Sequence, residues 1–200
     1  MNPSIKFVYL DIGDTLVAKA KPSLVMKALG LKEEVFKNAY QKFRVNMHKG
    51  KSSPSDFIES LKDDLIMPKE DALKKWNAAL KNLAVIEPMH KLVKDLKIKY
   101  KIGLLTNIFP GHFELFYNAG KIPHLSYDVI IKSCDVGSVK PEKEIYEISA
   151  KKSQVAPKEI LFIDNEKEYV DAAIKYGWQG YVFDPKNPDK SAEELRNILL

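Results

Sequence analysis

Near its N-terminus the chain runs Phe7-Val8-Tyr9-Leu10 and then breaks into Asp11-Ile12-Gly13-Asp14-Thr15-Leu16. An apolar run of this length, cut off by a turn-forming acid, has the pattern of a strand buried on both faces of a parallel sheet. In open α/β sheets, ligands bind outside the carboxyl ends of the strands. Asp11 therefore reads as a nucleophile, as a metal ligand, or as the cap of the turn that follows, since Asx residues readily close turns.

Two more segments end in the same way. Lys101-Ile102-Gly103-Leu104-Leu105 leads to Thr106-Asn107, and Ile160-Leu161-Phe162-Ile163 leads to Asp164-Asn165. From Pro88 onward the pattern alternates: helix near 88–97, strand 101–106, helix 111–119, strand 127–132, helix 141–153, strand 160–164, helix 166–176 and strand 179–183. Ser191 to Glu194 reads as a capping box that opens a last helix. Alternation of this kind implies βαβ units with right-handed crossovers. One parallel sheet is expected, its strands beginning near residues 5, 101, 127, 160 and 179, with the Asp11 strand central.

Between Thr15 and about Glu87 the period changes to that of helices. Phe36, Tyr40, Phe43 and Met47 share one helical face; Ser53-Pro54 reads as N-cap and first turn ahead of Phe57, Ile58, Leu61 and Leu65; Pro68 opens a stripe of Leu73, Trp76, Leu80 and Leu83. With a short segment at 23–29 this gives about four helices and no strand. The fold class is thus α/β: a Rossmann-like parallel-sheet core (1–17 and 88–200) with an inserted all-helical cap (18–87). The cap aromatics read as core packing rather than ligand contacts.

Composition narrows the functional classes. The 200 residues are 45% hydrophobic, enough for a real core plus an insertion. No run approaches the roughly 18 apolar residues of a membrane span. The first strand begins within a few residues of Met1, so no signal peptide is expected. Cys134 stands alone, so an internal disulfide is excluded, and it reads as a passive residue at a strand end. The net charge is +5, but Arg44 and Arg196 are the only arginines among 32 basic residues. Nucleic-acid recognition favours arginine, and the lysines here are dispersed among acids. A cytoplasmic protein with neither nucleic-acid nor membrane partners is expected.

Asp11, Thr106, Lys140 and Asp164, in that order and with Lys140 just ahead of Pro141, resemble the four motifs of the haloacid dehalogenase-like (HAD) hydrolase superfamily, helical-cap subfamily. The resemblance covers nearly the whole chain. It implies that Asp11 is a carboxylate nucleophile, which can split one hard displacement into two easier ones. It implies that Thr106 and the main-chain N–H groups after it, beginning at Asn107, hold the phosphoryl oxygens. Lys140 would offset the clustered negative charge. Mg²⁺ would be held by Asp11, the Gly13 carbonyl and Asp164, with Asn165 as a further or water-mediated ligand, a set of hard oxygens suited to that ion. Glu168 is an alternative helper, though its place on a helix surface is the simpler reading. His48, His90, His112 and His124 lack the spacing of a zinc site.

One position departs from the pattern. Most phosphatases of the family carry, two residues after the nucleophile, an Asp that protonates the leaving group; this chain has Gly13. Asp14 is the alternative acid or, more simply, a turn residue. The function implied is a Mg²⁺-dependent phosphatase acting on a small phosphorylated metabolite through an aspartyl-phosphate. Gly13 leaves open a 2-haloacid dehalogenase, whose halide leaving group needs no proton, or a catalytically weak protein that binds phosphorylated metabolites or a partner.

Overall fold

The computed structural model describes residues 5–200. In chain order the elements are β1 (Phe7–Leu10), α1 (Pro22–Leu29), α2 (Glu33–His48), α3 (Pro54–Glu59), α4 (Lys69–Lys81), α5 (Glu87–Lys99), β2 (Lys101–Thr106), α6 (His112–Asn118), β3 (Val129–Lys132), α7 (Ser133–Val136), α8 (Lys143–Ser153), β4 (Ile160–Asp164), α9 (Lys167–Lys175), β5 (Gln179–Val182) and α10 (Pro188–Leu199). The five strands form one parallel sheet in the order β3-β2-β1-β4-β5, so the Asp11 strand is central, as expected from its unbroken apolar run. Every residue of β1 and β4 is buried.

Register decides what meets at the sheet edge. Leu10 lies opposite Leu104 on one side and Ile163 on the other. The next residue, Asp11, is therefore level with Asp164, and Thr106 stands one position beyond it. On one face of the sheet Tyr9 stacks on Trp178 with ring centroids 5.5 Å apart and donates its hydroxyl hydrogen bond to the Ser149 carbonyl at 2.8 Å. Gly103 makes that packing possible. A Cβ there would stand 2.5 Å from Tyr9 Cε1 and 2.8 Å from Phe7 Cε1, closer than van der Waals contact allows.

Helices α1–α4 leave and rejoin the sheet-bearing part at one point. Val17 bridges Val85, the Ala18 N–H donates to the Ala84 carbonyl at 2.8 Å, and the Ile86 N–H donates to the Leu16 carbonyl at 2.9 Å. Ser53 caps α3 as the sequence implies. Its hydroxyl accepts from the Asp56 N–H at 3.2 Å, and the Asp56 carboxylate accepts from the Ser53 N–H at 2.8 Å. Phe57 meets Phe36 and Trp76 edge to face, with centroids 5.7 and 5.5 Å away. The apolar faces of α2–α4 share one continuous cluster with Ile12, Leu16 and Phe109.

Three local readings of the sequence need correction. The last helix begins at Pro188, whose fixed φ suits a first turn, and not at Ser191. Ser191 lies inside that helix and its hydroxyl accepts from the Asp184 N–H at 3.1 Å, while Glu194 receives the Tyr181 hydroxyl at 2.7 Å instead of closing a capping box. Pro141 sits in the turn ahead of α8, which starts at Lys143. A single helical turn, α7, follows β3 directly and places Cys134 inside it, half-buried, rather than at the strand end. Among the described residues no helix is long and apolar enough to cross a membrane.

Candidate active site

The carboxyl ends of β1, β2 and β4 bring Asp11, Thr106 and Asp164 to one edge of the sheet, all buried. The Asp11 N–H donates to the Ile163 carbonyl at 3.0 Å, which continues the β1–β4 ladder and fixes where its side chain leaves the strand. Lys140, 2% exposed, reaches in from the turn before α8. Its Nζ lies 2.8 Å from Asp11 Oδ1 and 2.5 Å from Asp164 Oδ2. Burial acts against this ammonium, but the two carboxylates outweigh it and hold its pKa above the usual lysine range. Burial likewise pushes the Asp164 carboxyl up to about 6, with Lys140 pulling the other way.

The charge left over is informative. Two carboxylates against one ammonium leave the cluster one unit negative. Asp164 Oδ1 accepts the Glu166 N–H at 2.8 Å, whereas among the described residues Asp11 Oδ2 has no hydrogen-bond partner, and Asp11 lines the adjoining cavity. Two buried carboxylates with residual negative charge at the mouth of a cavity suit a hard cation bound through oxygen. Those acids number two; among the described residues no three of His, Cys, Asp or Glu converge on a common point. The residues present therefore fit Mg²⁺ better than a nitrogen- or sulfur-bound metal.

Asn107 does something the sequence did not disclose. Its Nδ2 donates to the Lys140 carbonyl at 3.0 Å and its Oδ1 accepts the Lys140 N–H at 2.8 Å. The side chain is a two-point clamp on the backbone that carries the ammonium, so a phosphoryl contact from Asn107 would have to come from its main chain. Glu142 braces the same turn, accepting from the Ser138 hydroxyl at 3.0 Å and the Val139 N–H at 3.1 Å. Asn165 lines the cavity, its Nδ2 3.4 Å from Glu166 Oε1.

Asp14 is a turn residue. It adopts a left-handed conformation, φ 52°, and its Oδ1 accepts the Lys19 N–H at 2.7 Å, a local pairing that Asx side chains favour. The space beside Gly13 is open: a Cβ there would meet only Lys19 Cγ at 3.8 Å and Asp11 Oδ2 at 3.9 Å, ordinary contacts. Lys19 itself turns to Glu166, 2.6 Å away. Glu168 is exposed at the cavity rim.

The cavity measures about 600 Å³, within the range of small-molecule sites. Besides the motif residues it is walled by Tyr40, His48, Trp76 and Leu80 from the inserted helices and by Phe109 and His112. None of these was marked by the sequence as a site residue, and only Phe109, three positions after Thr106, carried a positional hint. Tyr40 and Trp76 pack as the sequence implies and also border the cavity. Burial pushes both His48 and His112 down to about 4. Unfolded, such an imidazole titrates near 6.5 and takes up a proton that the fold refuses, so its contribution is fullest above pH 6.5 and falls as the pH drops towards 4. Denaturant titrations should show stability lost across that window, by up to roughly 2–3 kcal/mol per imidazole. His112→Phe should lose measurably less; equal losses in both proteins would assign the acid sensitivity elsewhere.

The sequence model of the family described as haloacid dehalogenase-like hydrolase matches residues 10–182. D-ribitol-5-phosphate phosphatase from Bacteroides thetaiotaomicron is 27% identical over 164 residues, 76% of either protein. Acyl-CoA dehydrogenase family member 10 from Mus musculus is 24% identical over 113 residues, 56% of this chain but 10% of that protein's length. Among solved structures, a HAD family enzyme from Bacteroides thetaiotaomicron in complex with magnesium and inorganic phosphate superposes with a TM-score of 0.74 at 20% identity, covering 90% of this chain and 95% of that one.

Proposed function

The chain belongs to the haloacid dehalogenase-like hydrolases, and from that premise we propose that it is a Mg²⁺-dependent phosphatase of a small phosphorylated metabolite, working in the cytoplasm through an aspartyl-phosphate on Asp11. The observation that carries this reading is the bridge from Lys140 Nζ to Asp11 Oδ1 and Asp164 Oδ2. It immobilises one oxygen of Asp11 and leaves Oδ2 open beside the cavity. The phosphatase relative and the solved magnesium–phosphate complex lend support.

In the first half-reaction Asp11 Oδ2 attacks phosphorus, the bond from phosphorus to the ester oxygen breaks, and that oxygen leaves with the electron pair and takes its proton from water. Lys140 keeps its proton and holds Asp11 in line, while the Thr106 hydroxyl and the main chain after it receive the phosphoryl oxygens. Water then attacks the aspartyl-phosphate at phosphorus, releasing inorganic phosphate and restoring Asp11. Mg²⁺ would be held by Asp11, the Gly13 carbonyl and Asp164, with Asn165 near by, and would supply the positive charge that lets a carboxylate approach a dianion. Residues 18–87 act as a cap domain whose side chains select the leaving group. The meeting of the two chain connections at Val17 and Val85 supports that division.

Gly13 favours the second reading, 2-haloacid dehalogenation. The cluster's excess negative charge opposes it, since a carboxylate substrate would be repelled. Parallel assays of phosphate release from phosphate monoesters and halide release from 2-haloacids separate the two. Phosphate release with no halide release is expected; the reverse would overturn the phosphatase.

Gly13 also carries an expected gain. Gly13→Asp places a carboxyl in the open space beside Asp11. Turnover of alkyl phosphates should rise by up to about 10²-fold, the lower range of general-acid catalysis, with little gain on p-nitrophenyl phosphate. No gain on the alkyl phosphates would mean that another group already delivers the proton.

A further inference from the structure

We propose that this site is built for an aromatic phosphate monoester, with the ring lodged in the cavity beyond the carboxylates. The inference rests on the phosphatase reading and adds the chemistry of the leaving group. Two independent observations converge on it.

The first is the wall of the cavity. Past Asp11 and Thr106 its lining includes an apolar group of Tyr40, Trp76, Leu80, Phe109 and Phe116. Phe109 follows Thr106 by only three residues, so the phosphate-holding end of β2 runs directly into the aromatic wall. The Phe109 ring meets Tyr40 at 6.5 Å and Trp76 at 6.4 Å, both edge-on, which fixes its orientation in the wall. His48 and His112 add no charge at pH 7, because burial holds them well below neutrality. Lys19 and Glu166 neutralise each other at the rim. Arg44 is exposed. Among the described residues His48 Nδ1 and His112 Nε2 lack hydrogen-bond partners. Two nitrogens cannot repay the water that each hydroxyl of a polyol gives up here, whereas a flat apolar ring gains contact along the aromatic wall.

The second is Gly13. With glycine two residues after the nucleophile and Asp14 spent on the Lys19 N–H, the leaving oxygen meets no acid at that position. An aryl oxide can depart unprotonated, because a phenol has a pKa near about 10, and takes its proton afterwards from water. Asp11 attacks phosphorus, the bond from phosphorus to the aryl oxygen breaks with its electron pair leaving on that oxygen, and water later cleaves the aspartyl-phosphate. The products are the phenol and inorganic phosphate.

Binding separates the cavity's contribution from leaving-group reactivity. With saturating Mg²⁺, isothermal titration of the native protein with inorganic phosphate, ethylphosphonate and benzylphosphonate should show benzylphosphonate at least about tenfold tighter than ethylphosphonate, the scale of burying one ring. Phenyl phosphate should be hydrolysed with a kcat/KM about 10²-fold above that of ribitol 5-phosphate. Equal phosphonate affinities together with equal turnover would overturn the aromatic assignment and leave the phosphatase standing, provided inorganic phosphate still binds. If phosphate does not bind and no ester is hydrolysed, the phosphatase reading falls and the inference falls with it.

Discussion

Asp11→Asn is expected to abolish hydrolysis of aryl and alkyl phosphates alike, by roughly 10⁴–10⁶-fold, the scale seen when a covalent nucleophile is removed. The substitution changes one oxygen for an amide nitrogen and removes a charge. Lys140 then faces Asp164 alone, one ammonium against one carboxylate, so the buried charges still balance and the fold should survive. Phosphate release measured beside circular dichroism checks both halves. Retained turnover in a folded Asp11→Asn protein would move the nucleophile to another residue.

Asp164→Ala is expected to remove Mg²⁺-dependent turnover by about 10³-fold, as the metal's charge stabilisation amounts to several kcal/mol. Its cost to the fold should be small. Lys140 keeps Asp11 at 2.8 Å, so no buried charge is left unpaired. The main loss is the acceptor for the Glu166 N–H, about 1–3 kcal/mol for an orphaned donor. Against that stands relief, because burial already disfavours the charged form of Asp164. Thermal melts without metal should therefore shift by a few degrees. Magnesium should stabilise the native protein and leave the variant unmoved. A variant that fails to fold would show instead that Asp164 is a structural anchor first.

The sheet and its edge were legible because their signals are local. An unbroken apolar run ending in an acid needs no partner to be recognised, and register then carries Asp11 to Asp164 without further information. Lys140 was legible through the motif order, but the clamp that positions it was not, since Asn107 and Lys140 are 33 residues apart and either would be unremarkable alone. The cavity wall was hidden for another reason. Trp76 and Leu80 belong to an apolar stripe, and periodicity shows only that such a stripe is buried; whether it faces other helices or an internal cavity depends on how α4 is set against the loop after β2. The Lys19–Glu166 pair, 147 residues apart, had no sequence signal. The start of α10 was misread because Ser191 and Glu194 have capping-box spacing while Pro188 and the Asp184 loop set the boundary.

The most direct test of metal-assisted phosphoryl transfer at Asp11 and Asp164 is the rate of phosphate release from p-nitrophenyl phosphate by the native protein, first with Mg²⁺, then in excess EDTA, then with Mg²⁺ restored. Turnover should be present, fall to background, and return. Full turnover in EDTA, with halide released from a 2-haloacid under the same conditions, would contradict it and make this chain a metal-free dehalogenase.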